Sequence, residues 1–264
     1  MIGIFDSGIG GLTVVKKIWE QISPDQQITY FGDVAHLPYG NKSPEIIEKY
    51  IKQGIEFLTN KGAKIIIIAC HTASSVYYYN KNKISAPVPV IEMIEPTTQA
   101  ILSSLEPRKA RIGILGTRTT TKLKIYERTI KQKCSYCSVY AHPAPLLVPL
   151  IEEGWIKRVE TKKIVRKYLK PLKKKNINVL VLACTHYPLL KEIIEPKLSK
   201  SVRIIDPSLE VVLYLQKFLK NHPEIKLKKG LSKFYFSDIP SHYPDLIYKF
   251  LGKKINFKKI NLES

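Results

Sequence analysis

A short apolar run that ends in cysteine occurs twice in this chain, and that repeat limits the folds open to it. Ile65-Ile66-Ile67-Ile68-Ala69-Cys70-His71-Thr72 is answered by Val179-Leu180-Val181-Leu182-Ala183-Cys184-Thr185-His186, at an offset of 114 residues. Gly3-Ile4-Phe5-Asp6-Ser7-Gly8 is answered by Gly113-Ile114-Leu115-Gly116-Thr117, at an offset of 110. Two matches in the same order and phase point to two similar units. The cysteine-ending runs are short and bounded, and each reads as a buried strand.

Between the strands the apolar spacing becomes helical. Ile47, Tyr50, Ile51, Ile55 and Leu58 recur at that spacing. Ser43 suits the N-cap before them, Pro44 the first helical position and Gly62 the stop. Helices are also expected over Leu12 to Ile22, from about Thr72, and over Thr120 to Lys131, Val148 to Trp155 and Thr161 to Lys174. Further strands are expected over Gln27 to Phe31, Pro87 to Ile91, Arg111 to Leu115 and near Ser138 to Ala141. This alternation predicts an α/β fold of two similar parallel-sheet lobes related by pseudo-two-fold symmetry, with the active site in the cleft between them. We expect residues 1–93 plus 206–264 in the first lobe and 94–205 in the second. A chain of 264 residues has enough interior for a full apolar core.

The repeat carries chemistry as well as shape. In an open parallel sheet, ligands bind beyond the carboxyl ends of the strands. Cys70 and Cys184 both sit at that edge, so facing lobes bring two thiols to opposite sides of one ligand. Inverting a stereocentre by proton exchange needs a base on one face and an acid on the other. Each cysteine precedes an expected helix, whose N-terminus lowers a thiol pKa, so a thiolate is expected in both lobes. One strand-end cysteine is well explained by packing alone; a symmetric pair followed by polar residues is not. Asp6-Ser7-Gly8-Ile9-Gly10-Gly11 forms a turn whose backbone N–H groups suit an anion. Asp6 adds a carboxylate for an ammonium group or a thiol, and Ser7 adds a hydroxyl. The turn is neither a Walker loop nor Gly-x-Gly-x-x-Gly.

Composition removes other classes. The 43 Lys and Arg against 22 Asp and Glu give a formal charge of +21, a field that favours anions from small carboxylates to nucleic acid. The lysines are spread over many helix faces (Lys162, Lys163, Lys170), so we read a solvated surface rather than a dedicated nucleic-acid site. The apolar runs are far too short to cross a bilayer, and the Met1–Asp6 opening lacks a signal-peptide pattern. No membrane partner and a cytoplasmic location are expected. Four cysteines do not suggest a disulfide framework. Cys134-x-x-Cys137, with His142 nearby, lacks the second pair of a structural zinc site. No metal and no cofactor are expected.

At these residues the chain resembles the glutamate racemase family of the aspartate/glutamate racemase superfamily. Phe5 through Thr13 is similar to its opening motif, and Gly32-Asp33 through Pro38-Tyr39-Gly40 to the next. Ala69-Cys70 with Thr72-Ala73 and Cys184-Thr185-His186-Tyr187-Pro188-Leu189 match its two cysteine motifs. Leu147 to Gly154 matches the stretch bearing an acidic site residue, which falls on Glu152. The likeness runs in order over about residues 2 to 210.

The resemblance implies a pyridoxal-independent interconversion of L- and D-glutamate, with D-glutamate destined for peptidoglycan and a homodimer as the default assembly. It implies that Cys70 removes the α-proton of D-glutamate and Cys184 that of L-glutamate, assisted by Asp6 and His186 respectively. It also implies that Ser7, Tyr39, Gly40, Thr72, Thr185 and His186 hold the substrate. Thr117, Thr119 and Thr121 lie in the matching turn of the second lobe, where at least one is expected to touch a carboxylate. Where the family has Asn after the first cysteine, this chain has His71. That ring either takes over the contact through an N–H or turns away from the ligand. His36 stands where Arg is common, and His142 where Cys often precedes Pro. Two other readings stay open: a racemase of the superfamily acting on aspartate or a related amino acid, and a low-activity homologue with a DNA- or gyrase-binding role.

Overall fold

A computed structural model of the protein describes residues 1–104 and 110–262. The first part of the chain runs β1 (Ile2–Asp6), α1 (Leu12–Gln21), β2 (Ile28–Gly32), α2 (Pro44–Asn60), β3 (Ile65–Ile68), α3 (His71–Asn80), β4 (Val90–Glu92) and α4 (Ile94–Ser103). The pattern then restarts with β5 (Arg111–Gly116), α5 (Arg118–Lys122), α6 (Ile125–Lys133), β6 (Ser138–Pro143), α7 (Leu147–Glu152), α8 (Val159–Lys174), β7 (Val179–Ala183), α9 (Lys191–Ile194) and β8 (Arg203–Ile205). The last part supplies α10 (Pro207–Asn221), β9 (Lys233–Phe236), α11 (Tyr243–Leu251) and β10 (Phe257–Lys259).

These strands form two parallel sheets, ordered β10-β9-β2-β1-β3-β4 and β6-β5-β7-β8. The repeat seen in the sequence is a repeat of position. β1 lies between β2 and β3 as β5 lies between β6 and β7, and the cysteine motifs follow the equivalent strands β3 and β7. The C-terminal strands β9 and β10 extend the first sheet beyond β2.

Burial on both faces explains the continuous apolar runs. Successive side chains of a strand point to opposite faces. Ile65 and Ile67 join one core while Ile66 and Ile68 join another. On β7, Leu180 and Leu182 point into the first of these cores, and Val179 and Val181 into a third. The core holding Ile67 and Leu182 is therefore continuous across both sheets, and it also takes in Val211, Val212 and Leu215 of α10.

Three expectations need correction. The single helix expected over Thr120 to Lys131 is two helices, α5 and α6, separated at Lys124, whose backbone is left-handed (φ 53). Cys184 is followed by a 3-10 turn at Tyr187–Leu190 rather than an α-helix. Cys134 and Cys137, for which no pairing was expected, are joined by a disulfide between the end of α6 and the start of β6. Among the described residues no helix is long and apolar enough to cross a membrane.

Candidate active site

Cys70 is the N-cap of α3 and is almost fully buried. The Ser7 hydroxyl and the Ala73 backbone N–H hydrogen-bond to its sulfur and favour the thiolate, but burial and the charge of Asp6 outweigh them. The thiol is pushed up to about 12. The thiolate expected in the first lobe is thus a thiol at rest, because withdrawing the anion from water costs more than the helix end returns. Asp6, at the end of β1, accepts from the Gly8 N–H at 3.0 Å and from the Thr185 hydroxyl at 3.2 Å. Its own burial raises its pKa against these bonds and the nearby His186.

The second half-site is built differently. Cys184 Sγ lies 3.9 Å from Nδ1 of His186, and the opposite ring nitrogen, Nε2, lies 2.5 Å from Glu152 Oε1. Burial alone lowers the imidazole pKa, but hydrogen bonds and charge from Cys184 and Glu152 together hold it well above its ordinary value. His186 thus bridges the Cys184 sulfur and the Glu152 carboxylate, one through each ring nitrogen. Glu152 comes from the last turn of α7. Two residues of α11 complete this side. Phe250 packs edge-on against His186 at 5.7 Å, and Tyr243 borders Glu152, whose charge adds to burial in raising the phenol pKa. Sequence reasoning missed both, since α11 lies outside the repeat.

The two halves meet tightly. A Cβ at Gly10 falls 2.5 Å from His186 Nδ1, so only glycine lets the first lobe's turn approach the second cysteine motif. The hydroxyls of Thr72 and Thr117 hydrogen-bond across the lobes at 2.9 Å, and Thr120 lies 3.3 Å from Thr72 and 3.0 Å from Thr117. Thr120 was not singled out from the sequence. Thr119 donates to the Gly40 carbonyl at 3.0 Å. Thr121 turns back to the carbonyls of Thr117 and Arg118 and lies outside the cavity.

Ser7, Tyr39, Gly40, Cys70, His71, Thr72, Thr117, Cys184, Thr185 and His186 share one cavity. Thr119 borders the adjoining surface, while Asp6 and Glu152 stand behind the cavity wall, hydrogen-bonded to Thr185 and His186 respectively. The Tyr39 hydroxyl donates to Asp33 at 2.6 Å. His71 is 2% exposed, neither ring nitrogen has a hydrogen-bond partner, and burial pushes its pKa down to about 3. Its ring lies 6.3 Å from that of Tyr126. The free space of this cavity is about 20 Å³, room for about one water molecule. Among the described residues no cluster of His, Cys, Asp and Glu could hold a metal ion.

Fold and site together define a two-lobed parallel α/β protein that closes on a pair of free thiols. The model of the family described as Asp/Glu/Hydantoin racemase matches residues 2–214, and the chain belongs to that family. A glutamate racemase from Aquifex aeolicus is 40% identical over 257 residues, 97% of this chain and 96% of that protein. The crystal structure of a glutamate racemase from Francisella tularensis in complex with D-glutamate has a TM-score of 0.90 at 35% identity, covering 99% of this chain and 97% of that one. A glutamate racemase isoform from Bacillus anthracis has a TM-score of 0.91 at 31% identity with the same coverage. The chain is accordingly an isomerase of the amino-acid racemase class.

Proposed function

We propose that this protein interconverts L- and D-glutamate by a cofactor-free two-thiol mechanism and supplies D-glutamate for peptidoglycan. The observation that carries this reading is a pair of free, buried cysteines on one cavity, each backed by different acid–base groups. The α-proton of an amino acid is weakly acidic. Its removal needs a positioned base, donors for the charge that develops and exclusion of water. In our reading Cys184 takes the proton of the L-enantiomer. His186 stands beside its sulfur, within reach of the proton, and Glu152 orients the imidazole from the far side. Cys70 returns a proton to the opposite face, a role suited to a thiol pushed up to about 12. For the D-enantiomer the roles exchange, with Asp6 assisting Cys70. The hydroxyls of Ser7, Thr72, Thr117 and Thr185 and the backbone of Gly40 hold the substrate, with Tyr39 and His71 as walls.

Because a cavity of about 20 Å³ is too small for an amino acid, residues 1–93 with 206–264 move as one lobe against 94–205 to admit it. A cytoplasmic homodimer goes with this reading. Support for glutamate comes from the full-length likeness to glutamate racemases, one of them crystallised with D-glutamate. The test is solvent deuterium incorporation at Cα of D- and L-glutamate by the wild type, Cys70→Ser and Cys184→Ser. Both variants are expected to lose racemisation. Wild-type exchange in both of them would rule out the two-thiol mechanism.

A further inference from the structure

A cavity of about 20 Å³ has to widen along a seam in its walls to admit an anionic amino acid. One such seam lies where the 3-10 turn Tyr39–Asn41 meets α5. There Thr119 donates to the carbonyls of Gly40 at 3.0 Å and Lys42 at 3.3 Å. Outside it lies a bowl of about 590 Å³, and Gly40 belongs to the walls of both the bowl and the buried cavity. The charged residues of the bowl are Lys42, Arg118 and Lys122, and no carboxylate lines it. None of the three has an ion-pair partner among the described residues.

Three cations gathered in a concavity without a counter-charge focus field on an anionic ligand and raise its local concentration. We propose that Lys42, Arg118 and Lys122 form an entry site, which docks the carboxylates of a dicarboxylic amino acid before the lobes open to admit it. Thr119 makes the site more than a collector. Its hydroxyl closes the seam by donating to neutral carbonyls, and a carboxylate is the stronger acceptor. A docked substrate therefore competes for the donor that bars its way. The same bowl serves the leaving enantiomer, because both enantiomers carry the same charges.

The inference rests on the racemase reading, and one set of measurements separates the two. Deuterium exchange into D-glutamate is followed at low and high KCl for three proteins: the wild type, Lys42→Gln/Arg118→Gln/Lys122→Gln, and the control Lys162→Gln/Lys163→Gln/Lys167→Gln. The control removes the same charge from α8, which packs against the opposite face of the second sheet from α6. In the bowl variant kcat/KM is expected to fall about tenfold with kcat nearly unchanged and with a flatter salt dependence, while the control behaves as wild type. An equal fall in both variants would assign the effect to the net charge, and an unchanged kcat/KM in the bowl variant or a fall confined to kcat would equally overturn the entry site. If the wild type does not exchange at all, the glutamate reading fails instead. The bowl is then judged by calorimetric titration with glutarate, which the wild type is expected to bind. Equal binding by the bowl variant would overturn the site.

Discussion

His71 places two ring nitrogens in a buried space where neither finds a protein partner. Burial pushes its pKa down to about 3, against about 6.5 for a solvated imidazole. A depressed folded-state pKa gives a contribution to stability that is fully present above pH 6.5 and is lost as pH falls towards 3. Relative to His71→Asn, the wild type is expected to lose about 2 kcal/mol between pH 7 and pH 5, read from urea midpoints at each pH. Parallel pH profiles would show that the ring is solvated. The same substitution restores the residue usual after the first cysteine in the resembling family and is expected to preserve or raise turnover. Complete loss of activity would show that the histidine has a required role of its own.

Helix α4 begins on a charge that burial disfavours. The Glu92 carboxyl accepts the backbone N–H groups of Ile94 and of Glu95, the latter at 3.0 Å. Burial nonetheless outweighs these bonds and pushes its pKa up to about 7. A raised folded-state pKa means that the contribution to stability is fully present below the unfolded value near 4.5 and is lost as pH rises through 7. Glu92→Gln keeps an acceptor without the charge. Between pH 5 and pH 8 its stability is expected to gain about 2 kcal/mol on that of the wild type, measured by chemical denaturation. A constant difference over that range would refute the account.

The elements differ in how much of them could be read in advance. Strands β3 and β7 were legible because burial on both faces demands unbroken apolar runs. Helix α2 was legible because Ser43, Pro44 and Gly62 mark its ends. The break between α5 and α6 was not, since no Gly or Pro stands at Lys124. The two cysteines and the turn at Asp6 were visible because the repeat doubles the cysteine motif and the strand leading into that turn. The role of Thr120 was hidden, because four threonines within five positions leave their facing to tertiary packing. The Cys70 pKa was misjudged for a related reason: the helix end can be read from the sequence, but the depth of burial cannot.

At the scale of the whole molecule the two lobes are alike in topology and unlike in chemistry. Cys184 is served by His186 and Glu152, and Cys70 by Ser7 and Asp6. Enantiomers have equal free energy in an achiral solvent, so under the proposed function the equilibrium ratio is one, whatever the protein contributes. The two directions must then share one kcat/KM, and the inequality of the half-sites can appear only as matched differences in kcat and KM. Glu152→Gln removes the charge behind one cysteine alone. It is nevertheless expected to lower kcat/KM by the same factor from either enantiomer, about a hundredfold, followed by circular dichroism. Unequal factors would mean that the two enantiomers are not simply substrate and product of one reaction. An asymmetric cleft of this kind has no preferred direction of net flow; that direction is set by whichever reaction consumes one enantiomer.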